Sequence, residues 1–125
     1  MSEIGQDLTD KLGEAVETAS RPQRVPVNMY ETDEALVVVA PLPGVMAGDI
    51  EVRVRPGMLT ISAAMRTAAP KDYLLHEWHY GPYRREVDIS DRYGAEVAAS
   101  FGNGQLAVHL GRGTPDADEE TVVRP

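Results

Sequence analysis

Ala99-Ser100-Phe101-Gly102-Asn103-Gly104-Gln105-Leu106-Ala107-Val108-His109-Leu110 decides the fold. Val97, Ala99 and Phe101 alternate with Ala98 and Ser100 before the turn; Leu106, Val108 and Leu110 alternate with Ala107 and His109 after it. A period of two gives each run one apolar face, so the stretch is a β-hairpin. Gly102, Asn103 and Gly104 tolerate positive φ, which the tight turns that match strand twist require. A lone hairpin is marginal in water, so its apolar face has to lie on further strands.

The chain supplies them on the N-terminal side. From residue 25 to residue 110 the pattern is one short strand after another, separated by Gly, Pro, Asn and Asp, with no helical period. Val25, Val27 and Met29 alternate with Pro26, Asn28 and Tyr30, and Pro26 marks an edge strand because proline donates nothing to a ladder. Leu36-Val37-Val38-Val39-Ala40 is apolar on both faces and therefore central. Ile50, Val52 and Val54 alternate with Glu51, Arg53 and Arg55; Pro56-Gly57 turns the chain; Leu59, Ile61 and Ala63 alternate with Thr60 and Ser62, a second hairpin. With a strand at Tyr83-Arg84-Arg85-Glu86-Val87-Asp88-Ile89, these are the parts of an all-β, two-sheet antiparallel sandwich.

The flanks differ in kind. Ile4, Leu8, Leu12, Ala15, Val16 and Ala19 recur at helical spacing opposite Glu3, Asp7, Asp10, Glu14 and Glu17, which predicts a short amphipathic helix in an N-terminal arm, residues 1–24. Pro22 ends it. Residues 111–125 have no period and are acidic, which predicts a disordered solubilising tail. Between residues 66 and 82 runs a long connection whose second half holds Tyr73, Leu74, Leu75, Trp78 and Tyr80, too apolar to be left in water.

Twelve Lys and Arg against twenty Asp and Glu give a net charge of −8, which argues against nucleic acid as a partner, since phosphate neutralisation needs a basic surface. No cysteine is present, so disulfides, thiolate metal sites and cysteine nucleophiles are excluded and a cytoplasmic setting is expected. No run approaches the ~20 apolar residues of a membrane span, and the first residues lack the basic flank of an export signal. His76-Glu77-Trp78-His79 does not make a metal site on an extended strand, where residues three apart face opposite ways. Ser62 and Ser100 have no histidine and acid at a recognisable spacing, and neither Gly102-Asn103-Gly104 nor Gly111-Arg112-Gly113 opens a phosphate-binding helix. No enzyme and no cofactor is expected.

The residues resemble a known family. Ala99-Ser100-Phe101-Gly102-Asn103-Gly104-Gln105-Leu106 is similar to the alanine, three residues, Asn-Gly, one residue, leucine signature of the alpha-crystallin domain of small heat shock proteins. Val27 to Asp33 resembles that family's opening strand, and Pro41-Leu42-Pro43-Gly44-Val45 its leucine-proline-glycine turn, followed by Asp49-Ile50-Glu51-Val52. Met58-Leu59-Thr60-Ile61-Ser62 and Tyr80-Gly81-Pro82-Tyr83-Arg84-Arg85 resemble later segments, in order and at fitting spacings over residues 25–110. The resemblance implies an immunoglobulin-like sandwich that dimerises, assembles through its flanks, and holds unfolding client proteins without ATP as part of a stress response.

Two readings of Tyr73 to Trp78 stand side by side: a strand of the chain's own core, or a segment exchanged with a second subunit. In the second, Tyr73, Leu74, Leu75 and Trp78 add to an edge made by Val25, Val27 and Met29. Arg85, aligned with the family's arginine, either pairs with an acid across that interface or is an ordinary cross-strand charge. Val52, Val54, Ala99 and Phe101 are core first, and their outer margin would form the peptide groove the family uses. Ile4, Leu8, Leu12 and Val16 of the arm offer adaptable apolar surface to clients. Thr121-Val122-Val123-Arg124 stands in place of the family's isoleucine-any-isoleucine motif, and adjacent valines point to opposite sides, so the tail is expected to stay mobile and the assembly to be a dimer or a small set of oligomers. The alternative function is a sandwich that binds one defined partner.

Overall fold

The computed structural model describes residues 22–65, 71–79 and 81–125, so the helix expected in the arm lies outside the described residues. Nine strands follow in order: β1 (Gln23–Arg24), β2 (Asn28–Glu31), β3 (Ala35–Pro41), β4 (Ile50–Arg55), β5 (Met58–Ala63), β6 (Tyr83–Asp88), β7 (Tyr93–Gly102), β8 (Gln105–Arg112) and β9 (Thr121–Val123). They make two sheets, one ordered β1-β6-β5-β4-β9 and the other β2-β3-β8-β7.

The predicted hairpin is β7–β8. Phe101 faces Leu106 and Gly102 faces Gln105, leaving Asn103 and Gly104 as a two-residue turn with φ of 52° and 75°. Both central residues are left-handed, the geometry that matches strand twist, and asparagine and glycine are the residues that adopt it with least strain. Gly102 closes the strand instead of turning it. β3 joins this hairpin antiparallel from Ala35↔Gly111 to Pro41↔Gln105, which makes Leu36 to Ala40 central as read. The second hairpin is β4–β5, closed at Arg55↔Met58 over Pro56 and Gly57.

The sheets meet through their apolar faces. Leu36, Val38, Ala40, Leu106, Val108 and Leu110 from one pack against Ile50, Val52, Val54, Leu59, Ile61 and Val87 from the other. Most of these side chains are fully excluded from water. Each such burial contributes about 1.5–3 kcal/mol, which the alternating pattern directs to one face only.

Residues 25–30 do not form the single edge strand expected. β1 pairs parallel with β6, at Gln23↔Tyr83 and Arg24↔Arg84, while β2 pairs antiparallel with β3 in the other sheet. The chain crosses between the layers at Val25, which is 1 % exposed and belongs to the core, and Pro26, without an N–H, breaks the ladder. The sandwich therefore takes in Gln23 and Arg24, counted with the arm from the sequence.

The tail departs further from expectation. β8 runs on through Arg112, Pro115 is buried, and Thr121–Val123 pair antiparallel with β4, at Val54↔Thr121, Arg53↔Val122 and Val52↔Val123. Arg112, Pro115 and Thr121–Val123 are thus held on the sandwich, where a disordered extension from residue 111 was expected. The physical reason is the edge of β4: without β9 its outward N–H and C=O groups lack partners, and three consecutive β-branched residues on the same chain supply them.

Candidate functional site

Three surfaces carry the residues singled out in the sequence. The first is the connection between β5 and β6. It leaves the core at Met65, which is buried, and returns at Gly81 and Pro82, where the Gln23 side chain donates to the Gly81 carbonyl at 3.0 Å and the Gln23 amide donates to the Pro82 carbonyl at 2.7 Å. Between these anchors residues 71–79 form no strand. Leu74 and Leu75 are 107 % and 74 % exposed, Trp78 57 % and Tyr73 44 %. The reading of this segment as a strand of the chain's own core is therefore overturned. Tyr73 stacks on His76 with ring centres 4.5 Å apart, and these rings with Lys71, Leu75, Glu77 and Trp78 line a cleft of about 430 Å³. Among the described residues no group of three or more His, Cys, Asp or Glu is placed to hold a metal ion.

The second surface is the edge of β2. All four of its residues are exposed, including Met29 and Tyr30, and no strand pairs with its outer side among the described residues. Of the three residues expected on this edge only Met29 lies in β2; Val27 packs partly against the core and Val25 is inside it. Arg85 helps to keep it there. β6 points Tyr83, Arg85 and Val87 towards the other sheet, and the Arg85 guanidinium donates through Nη1 to the Val25 carbonyl at 2.7 Å. Within one chain, then, Arg85 closes the crossing between sheets. The Tyr83 hydroxyl does similar work from the same strand, donating to the Pro43 carbonyl at 2.8 Å.

The third surface is the margin where β4 and β7 approach. Val52 and Val54 are fully buried, and Ala99 and Phe101 pack half-covered on the core. β9 lies against that margin. Directly opposed residues of an antiparallel pair share a face, so Thr121 and Val123 turn inward with Val54 and Val52, and Val122, 46 % exposed, turns out with Arg53. The expectation that adjacent valines cannot both dock holds. What it misses is that Thr121 and Val123, two apart and both β-branched, can.

Charge fixes the strand at both ends. Arg53 donates to Glu51 and, through Nη1 at 2.6 Å, to Glu120; Arg124 donates through Nη2 to Glu51 at 2.9 Å. The Glu120 hydrogen bond, then that of Glu51, holds the Arg53 guanidinium more firmly protonated than usual. Opposite signs alternate across β9 and β4, so each carboxylate sits between or beside cations. Neither Pro115 nor Glu120 stood out in the sequence, and Thr121-Val122-Val123-Arg124 was read there only for its two valines, although the spacing of Thr121 and Val123 carries the signal.

Among the described residues no helix is long and apolar enough to cross a membrane. The family model of the Hsp20/alpha crystallin family matches residues 28–124. Heat shock protein HSP.16.4 of Streptococcus thermophilus is 34 % identical over 91 residues, covering 69 % of this chain and 64 % of that protein. The 18 kDa antigen 1 of Mycobacterium avium is 25 % identical over 107 residues, covering 84 % of this chain and 73 % of that protein. Among solved structures, hspA from Xanthomonas axonopodis superposes with a TM-score of 0.65 at 23 % identity, over 74 % of this chain and 96 % of that one. Heat shock protein 16.0 from Schizosaccharomyces pombe does so with a TM-score of 0.61 at 24 % identity, over 82 % and 99 %. These two likenesses speak for the fold. The family is one of chaperones and not a class of enzymes, and it does not favour an adaptor for one defined partner. With the Asn103-Gly104 hairpin, the two-sheet core and the match over nearly its whole described length, this chain belongs to the Hsp20/alpha crystallin family of small heat shock proteins.

Proposed function

We propose that the chain is an ATP-independent holdase that captures exposed apolar segments of unfolding proteins and keeps them from aggregating. The observation that carries this reading is the run Tyr73, Leu74, Leu75 and Trp78, left in water on a domain whose core is otherwise complete. Apolar groups so displayed belong to an interaction, because leaving them hydrated forgoes roughly 25 cal/mol for each Å² of apolar surface. The margin of Val52, Val54, Ala99 and Phe101 and the arm residues Ile4, Leu8, Leu12 and Val16 serve as further client surfaces. Light scattering from two unrelated aggregating proteins, with and without the chain, tests this. Suppression of both is expected, and suppression of neither sinks the reading.

The self-association we propose uses the same run: residues 73–78 of one copy add to the β2 edge of another, against Met29 and Tyr30, which covers an open edge and the exposed rings together. Arg85 would meet an acid of the second copy only by sharing its guanidinium with the Val25 carbonyl. Leu74→Asp with Leu75→Asp should convert dimers to monomers in sedimentation velocity, and an unchanged dimer would rule the interface out. The arm acts as a separate unit in this proposal: deleting residues 1–20 should weaken client protection and leave the domain's melting unchanged. The absence of cysteine from all 125 residues is in keeping with work in a reducing cytoplasm.

A further inference from the structure

The outer face of the β1-β6-β5-β4-β9 sheet carries a charge pattern that involves neither the client surfaces nor the β2 edge. The ladders set Glu51, Ser62 and Arg84 in one row across β4, β5 and β6, Arg53, Thr60 and Glu86 in the next, and Arg55, Met58 and Asp88 in the third. Opposed residues of a ladder share a face, and the alternating burial of β4 and β6 turns these side chains away from the core. Along its length β4 therefore reads anion, cation, cation, and β6 reads cation, anion, anion. Short side chains of β5 lie between them, so the two charged strands form the banks of a trough of about 520 Å³ floored by Thr60 and Ser62. Each bank is already paired along itself, Arg53 with Glu51 and Arg84 with Glu86 at 2.8 Å.

We propose that this face binds the same face of a second copy of the chain, about a two-fold axis that runs along β5. That rotation lays β4 of each copy over β6 of the other, pointing the same way, so that Glu51 meets Arg84, Arg53 meets Glu86 and Arg55 meets Asp88, every pair occurring twice. Glu51 and Arg53 of one copy with Arg84 and Glu86 of the other make a square of alternating sign. Each charge keeps its partner within the chain and gains one across the contact. The other two-fold between the faces, running across the strands, would set Arg53 on Arg53 and Glu86 on Glu86, and opposed like charges repel, so the pattern selects the first. At the rim Arg124, held on Glu51, falls near Arg24 of the other copy, where water and salt screen the two cations. Three strands of six residues cover roughly 300 Å² of each copy, well under the ~800 Å² per partner of a stable complex, so the contact is weak alone and adds to any other that joins the copies. It goes beyond the holdase proposal and does not rest on it, since residues 73–78 and the β2 edge take no part.

The chain has no cysteine, so single cysteines report on the axis without interference. Ser62→Cys and Met58→Cys, made separately in the full-length chain and treated with a bismaleimide about as long as the ~10 Å between packed sheets, should each link to itself. Ser100→Cys, exposed on the other sheet, gives the rate of chance collision. At low salt, linking at position 62 should exceed that at position 100 on the order of tenfold and fall towards it at high salt, as surface ion pairs require. Adding Arg84→Glu with Glu86→Arg, which conserves net charge and the pair within β6, should bring linking at position 62 down to the rate at position 100. Asp88→Arg, a single change opposite Arg55, should lower it in the same direction, and serves where the swapped variant melts early. Linking at position 62 no faster than at position 100, or indifferent to salt and to both variants, would overturn the proposal. Linking that needs the position 62 and position 58 variants mixed would overturn the axis.

Discussion

Two long connections in this chain read as irregular, and they end in opposite states. Residues 71–79, rich in aromatic and branched side chains, lie in water; residues 113–125, rich in acids, fold back onto the sandwich. Composition alone would have placed them the other way round. The apolar segment stays off its own sandwich, where the inner faces of both sheets are already filled and the edge of β6 is taken by β1, although the outer edge of β2 is open. The acidic one has a seat because β4 lacks a neighbour on one side, and because its register brings Glu120 and Arg124 to cations and anions of opposite sign. What decides the fate of a segment is the vacancy it meets, and a vacant sheet edge accepts backbone first and composition second.

Paired leucines give the largest test of this contrast. Leu110→Ala, in the core, should destabilise the domain by about 2–5 kcal/mol in chemical denaturation, since the cavity is walled by both sheets. Leu74→Ala should stay within about 0.5 kcal/mol under conditions where the chain is monomeric. A large loss at Leu74 in the monomer would mean that the connection packs on its own domain after all.

A smaller effect is expected where the tail leaves β8. Gly113 has a φ of 122°, and a Cβ there would come within 2.8 Å of the Ala95 Cβ; its amide donates to the Arg92 carbonyl at 2.7 Å. Gly113→Ala should therefore cost about 1–3 kcal/mol, read as a fall in the midpoint of urea unfolding. An unchanged midpoint would show that the turn into the tail carries no weight in the fold. The smallest effect belongs to the ion pairs themselves: Arg124→Gln alone should lower global stability by at most about 1 kcal/mol, because Arg124 is well exposed. A loss of several kcal/mol would make the tail part of the core rather than a cover on the β4 edge.

The sandwich was legible from periodicity. Alternation of Leu106, Val108 and Leu110, and of Ile50, Val52 and Val54, puts every other side chain on one face whatever the rest of the molecule does, and Asn103-Gly104 prescribes a turn through backbone sterics that are local. The arginine–glutamate spacing of β4 likewise announced a solvated outer face. Other features depended on partners distant in sequence. Val25 reads like its neighbours Val27 and Met29, yet it enters the core because Arg85, sixty residues on, takes its carbonyl and β6 takes its preceding strand. Thr121 and Val123 read as tail, yet they become strand because an unpaired edge stands opposite them. Local sterics and side-chain period determine which face of a strand is apolar, and the sequence by itself carries both. Only the tertiary structure decides which edges are left unpaired and what covers them, because a backbone N–H has no identity in sequence until its neighbour is known.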